Sequence, residues 1–167
     1  MRQSAQIKKD QVLAELIAAR REVLDAASAF SEAEQDTIFL GTWTVKDLVA
    51  HLVGWDHANL EGVKAILAGR LPAFYVQYDA NWRTFNARLV GEHRRGSLTE
   101  SIDSAEASHR ALLAVVQAVP ADEFGKDHGV RSPAGRRVTI DMLLRAEATD
   151  ERKHARQLKE FAGSSVS

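Results

Sequence analysis

The chain has 167 residues, a formal net charge of −1, 45% hydrophobic and 27% charged residues, and no cysteine. That length fits a single domain, residues 1–167, with a core large enough to need no disulfide, and without cysteine there is no thiolate ligand or nucleophile. The balanced charge gives no footprint for nucleic acid or an anionic membrane, and no apolar run nears the roughly 18 residues of a membrane helix, so a cytoplasmic protein is expected.

The first helix is predicted from near Ser4 to Phe30. Its apolar residues Ile7, Val12, Leu13, Leu16, Ile17, Val23, Leu24 and Ala27 recur at three and four positions. Ser31 to Asp36 reads as a polar connection, and Thr37 to Gly41 as a short extended or turn segment. Thr44 followed by Asp47 forms a capping-box pattern that starts a second helix, with Trp43 placed to pack on its first turn. That helix carries Val45, Leu48, Val49, Leu52, Val53, Leu60, Val63, Ile66 and Leu67 and stops at Gly69, with Pro72 beyond. Leu71 to Val76 reads as a loop and Tyr78 to Val90 as one shorter helix. A further long helix runs from Leu98 to Ala118, and Pro120 ends it. The stretch from Ala121 to Arg137 holds Gly125, Gly129, Pro133 and Gly135, a long connection of the kind that is functional or mobile. The last helix is expected from near Thr139 to Phe161, with residues 163–167 a frayed tail. Long amphipathic helices with no convincing strand pattern point to an all-α, four-helix bundle carrying an extra short helix between helices two and three.

The last helix carries the anomaly. Between Leu144 and Leu158 it has no large apolar side chain, and its stripe continues through Leu143, Glu147, Asp150, His154, Leu158 and Phe161. A helix facing a core shows an unbroken apolar stripe, so either this part is solvated or the bundle holds a polar site. Asp150 and His154, four apart, share a face and could grip one divalent ion. His51, on the apolar set of helix two, is the natural third donor, leaving a position for water or substrate. The plainer alternatives stand beside this: an exposed i,i+4 ion pair for Asp150 and His154, and a hydrogen-bonded core histidine for His51. His109 also sits on a stripe, as a core residue or a pocket residue. Glu147 and Glu151 could accept hydrogen bonds from ligand histidines or act as a general base, with Glu151 expected at the solvated surface. His57 and His93 read as surface residues, and His128 lies in the long connection, where it could close over a site. Trp55, with Trp82, Phe85, Tyr75 and Tyr78, is expected in the core and pocket wall.

The segment Gly41-Thr42-Trp43-Thr44-Val45-Lys46-Asp47-Leu48-Val49-Ala50-His51-Leu52-Val53-Gly54-Trp55-Asp56 resembles the second-helix motif of the DinB/YfiT-like superfamily. His154-Ala155-Arg156-Gln157-Leu158 resembles the end of its fourth-helix motif. The helix from Asn81 to Leu89 is similar to the ClbS/DfsB-like branch; the mycothiol-dependent maleylpyruvate isomerase-like branch shares the motifs. The resemblance implies a four-helix bundle, a homodimer, and a divalent metal, zinc or nickel, held by a histidine of helix two and two histidines four apart on helix four. By position these are His51, Asp150 and His154, so the first helix-four ligand departs from histidine. The implied activities are metal-dependent: thiol S-transfer with a low-molecular-weight thiol, isomerisation, or hydrolysis. The rival expectation is a metal-free bundle that holds a small-molecule ligand in a stress-protection role without catalysis.

Overall fold

The computed structural model describes residues 1–164. Helix α1 spans Arg2–Ser28, and a two-stranded hairpin of β1 (Ile38–Leu40) and β2 (Trp43–Thr44) leads into α2 (Val45–Leu67). Short helices α3 (Phe74–Ala80) and α4 (Trp82–His93) follow, then α5 (Leu98–Ala118) and α6 (Ile140–Ser164). The long helices α1, α2, α5 and α6 form the bundle, with α1 packed along α6, α2 along α5, and α4 against the outer side of α2. The expected all-α bundle is the one observed, and the long helices lie within a few residues of their predicted spans.

Local chemistry fixes the ends. The Thr44 hydroxyl accepts from the Asp47 N–H while the Asp47 carboxylate accepts from the Thr44 N–H, the reciprocal capping box read from the sequence. At the other end of α2, Gly69 takes φ +69°. The Gly69 N–H then bonds the Ile66 carbonyl and the Arg70 N–H bonds that of Ala65, a Schellman ending.

The extended segment expected over Thr37–Gly41 forms β1 and pairs with Trp43 and Thr44, because Gly41 at φ +60° turns the chain tightly enough for antiparallel contact. Other expectations change. The single helix expected over Tyr78–Val90 is two helices, and the supposed loop from Leu71 already turns helical at Phe74. Asn81 breaks the pair: its backbone is extended and its side chain accepts from the Thr84 N–H at 3.1 Å, starting α4 afresh. Gly163 and Ser164 belong to α6 rather than to a tail, while residues 165–167 lie outside the described residues. The long connection has structure of its own: Phe124 and Val130 are buried in the core, a 3-10 turn spans Ala121–Glu123, and Arg131 bridges to Arg137.

The core comes in two apolar halves. One gathers Val12, Leu16, Val63, Ile66, Leu112, Val116, Phe124 and Leu144; the other gathers Val23, Leu24, Val45, Leu48, Leu52, Ala105, Ala155 and Leu158. Between them every long helix contributes buried polar side chains: Arg20 from α1, Asp56 and Asn59 from α2, Ser108 and His109 from α5, Glu147 and Glu151 from α6. The outer helix is set close to this layer by Gly54, where a Cβ would lie 2.6 Å from that of Leu89. No side chain fits between α2 and α4 there, which brings Trp55 and Asn86 into contact.

Candidate metal centre and its cavity

Sequence spacing puts His51 on α2 and Asp150 and His154 on α6, and the packing of these helices brings the side chains together. Their ligand atoms all lie within 4.8 Å of one another. His154 Nε2 is 3.1 Å and His51 Nε2 is 3.7 Å from Asp150 Oδ2. The imidazole rings of His51 and His154 meet edge to face with centroids 5.3 Å apart. His51 is wedged between Trp43 at 4.8 Å and Trp55 at 6.3 Å. His154 Nδ1 lies 2.7 Å from Gln157 Oε1, an atom that can only accept, so the proton sits on Nδ1. Nε2 faces the cluster beside Asp150 and, when unprotonated, offers its lone pair there, the arrangement in which a ligand imidazole is oriented by an outer partner.

Electrostatics favour the same donor states. Burial lowers the pKa of His51, against the smaller raising effect of its Asp150 contact, and so favours the neutral ring. Burial alone would raise Asp150, but its hydrogen bonds with His154 and His51, with the positive charge either ring carries when protonated, outweigh it and hold the carboxyl well below the usual range. Two imidazoles and an ionised carboxylate form a donor set suited to zinc, nickel or iron, and these residues fit a divalent ion.

The cluster opens into a cavity of about 940 Å³, within the range of small-molecule sites. Trp55 lies at the centre of its wall, edge-on to Phe74 at 5.1 Å and to Tyr78 at 5.6 Å, with its indole N–H donated to Asn86 Oδ1 at 3.1 Å. Glu147 also lines the cavity and accepts from Asn59 Nδ2 at 2.9 Å. Burial, then the charges of Glu151 and Asp56, push its carboxyl well above the usual range.

Two further candidate residues, Glu151 and His109, lie off the cavity. Glu151, expected at the surface, is 1% exposed, because Arg20 reaches it across the bundle. The Arg20 guanidinium donates to both Glu151 oxygens through Nε at 3.1 Å, forks onto Asp56 at 2.8 Å, and gives Nη1 to the Ala105 carbonyl at 3.0 Å. His109 lies beside this network and not on the cavity. Asp56, His109 and Glu151 have ligand atoms close enough to hold an ion, but the guanidinium already fills their midst. His128 is tied to Glu123 at 2.6 Å, and no residue of the Ala121–Arg137 connection lines the cavity. His57, exposed, and His93, half-buried, stack on each other with centroids 5.1 Å apart.

Burial, helped by the nearby Arg20 charge and opposed by Asp56, pushes the His109 imidazole down to about 4, and neither ring nitrogen has a hydrogen-bond partner among the described residues. The unfolded chain takes up this proton near pH 6.5 and the folded protein only near 4. The neutral ring therefore contributes stability that is complete above pH 6.5 and lost as pH falls toward 4. Comparing wild type with His109→Leu, we expect the difference in urea unfolding free energy to change by about 2–3 kcal/mol between pH 7 and pH 4. A pH-independent difference would place the ring in water.

Arg20, Asp56, Asn59 and Gln157 were not anticipated. The signal was present: Leu16, Arg20 and Val23 on α1, and Leu52, Asp56, Asn59 and Val63 on α2, break their apolar stripes just as α6 does.

A family model described as the DinB superfamily matches residues 9–158. No curated protein and no solved structure matches the chain.

Proposed function

The chain belongs to the DinB superfamily, and we propose on that premise that it is a divalent-metal-dependent enzyme acting on a small molecule, by thiol S-transfer or hydrolysis, at an altered His51–Asp150–His154 site. The observation that carries this reading is the meeting of these three donors on the lining of the cavity, with Gln157 setting the His154 tautomer. A divalent ion bound there supplies Lewis acidity that eases loss of a proton from a thiol or from water near neutral pH. The chain's own residues do the rest. Glu147, anchored by Asn59 and disfavoured from ionising by its burial, can hold a proton at the cavity wall. The Trp43, Trp55 and Tyr78 rings keep water from the apolar part of a ligand. A homodimer is part of the proposal and follows from the resemblance; sedimentation equilibrium at micromolar concentration tests it.

The deciding experiment is elemental analysis of protein purified without chelator or affinity-tag metal. About one equivalent of zinc, nickel or iron per chain is expected for a site with three protein donors. No uptake from any of these ions would overturn the metal centre. The second reading is a metal-free binding bundle. What supports it is the 3.1 Å contact between His154 Nε2 and Asp150 Oδ2, which also suits an imidazolium–carboxylate pair. A protein that takes up no metal but saturates with ligand, without turnover, would establish it.

A further inference from the structure

All three tryptophans of the chain, Trp43, Trp55 and Trp82, line one cavity, together with Phe74, Tyr75 and Tyr78. Aromatic faces at this density suit a flat apolar ligand, through offset and edge-to-face contacts. The charges around them are uneven in what they lack. Lys153 precedes His154 on α6, is exposed, lines the cavity, and has no ion-pair or hydrogen-bond partner among the described residues. Arg83, also on the lining, lies over the Trp82 ring at 4.4 Å and has no acidic partner among the described residues. Asp150, by contrast, already faces both histidines. Asp79 is the other acid at the mouth, and Glu147 is buried against Asn59. Two cations therefore stand ready for an anion beside an aromatic wall, and a divalent ion would add further positive charge.

We infer that the cavity takes an aromatic monoanion, an aryl or arylalkyl carboxylate, with its ring among Trp43, Trp55 and Tyr78 and its carboxylate met by Lys153 and Arg83. The inference rests on the reading of this cavity as the ligand site. Its aromatic and cationic parts do not depend on the metal. Lysine and arginine at a wet rim discriminate by charge more than they add raw affinity, so the signature is selectivity within an isosteric series.

The test uses the whole protein and three probes of one shape: 3-phenylpropanoate, its amide, and 3-phenylpropylammonium. Because every tryptophan faces the cavity, intrinsic fluorescence excited beyond the absorption of the phenyl ring reports binding directly. The carboxylate is expected to bind about tenfold tighter than the amide, and the ammonium weakest. The double variant Lys153→Gln/Arg83→Gln should bring the carboxylate to the affinity of the amide while leaving the amide unchanged. Equal binding of carboxylate and amide by the wild type, no binding of any probe, or a preference that survives the double variant would overturn the inference. Metal content measured on the same samples separates the two readings. A preference lost at unchanged metal content is a charge effect. A metal-free protein that keeps the preference sinks the metal centre and leaves the anion site standing.

Discussion

Replacing Arg20 by methionine is expected to cost about 3–5 kcal/mol of folding stability, read as a shift in urea midpoint at constant slope. That is a large share of the roughly 5–15 kcal/mol that holds a domain together. The reason is the company Arg20 keeps. Asp56 and Glu151 are each 1% exposed, and the guanidinium is their cationic partner. Ser108 donates to Asp56 and would remain, but a hydroxyl does not balance a carboxylate. Without the arginine, two buried acids must either take up protons or draw in water. Lysine should not rescue, because one ammonium cannot reproduce a fork that satisfies Asp56, Glu151 and the Ala105 carbonyl together. Removing all three charges at once, as Arg20→Met/Asp56→Leu/Glu151→Met, should recover most of the loss, since a buried ion pair is weakly stabilising compared with apolar packing. The exposed pair Lys159–Glu22, at 3.0 Å, offers a control on the same two helices: Lys159→Ala should cost no more than about 1 kcal/mol. If Arg20→Met falls in that small range, the buried network is not holding the bundle.

The second large effect is on metal affinity. His154→Ala and His51→Ala each remove one of three donors, and each is expected to weaken zinc or nickel binding by at least about 100-fold, beyond the tenfold to hundredfold typical of losing an outer partner. Gln157→Leu supplies that milder case, because it frees the His154 ring without deleting it. Asp150→His is the informative variant. It installs the three-histidine set that the superfamily resemblance implies. Imidazole in place of carboxylate should keep zinc and nickel while losing manganese, which prefers oxygen. Competition titrations against a chromophoric chelator measure all four variants. Unchanged metal content in both histidine variants would remove the ion from this site.

Much of this was legible in the sequence. The capping box at Thr44 and Asp47, the stop at Gly69 and the apolar stripes follow from local chemistry, which needs no partner to be read. The break in the α6 stripe left open a solvated face or a polar site, and the burial of Glu147, Glu151 and His154 puts these polar groups inside the bundle. What the sequence could not assign was the partner of each polar residue. Glu151 and Asp150 are neighbours in sequence, yet one is sealed against Arg20 and the other opens to the cavity. That depends on the angular position of each on a packed helix and on an arginine 131 residues away. The split at Asn81 was missed because the aromatic spacing from Tyr78 to Phe85 is helical across the break. The cap competes with the helix only when its side chain turns back to Thr84. The Ala121–Arg137 connection read as one without structure of its own because its anchors, Phe124 and Val130, are single apolar residues among polar ones.

The polar layer between the two apolar halves also determines how the helices may be aligned. Apolar stripes alone are forgiving: slide one helix by a turn, about 5.4 Å, and leucine still meets valine. Here such a slide would carry Arg20 away from Asp56 and Glu151 and set it against a hydrocarbon face. The network therefore acts as an index mark common to all four long helices, penalising every out-of-step packing far more than it favours the correct one. Descendants of this chain can exchange residues freely within either apolar half. At the layer they must change several positions together, or not at all.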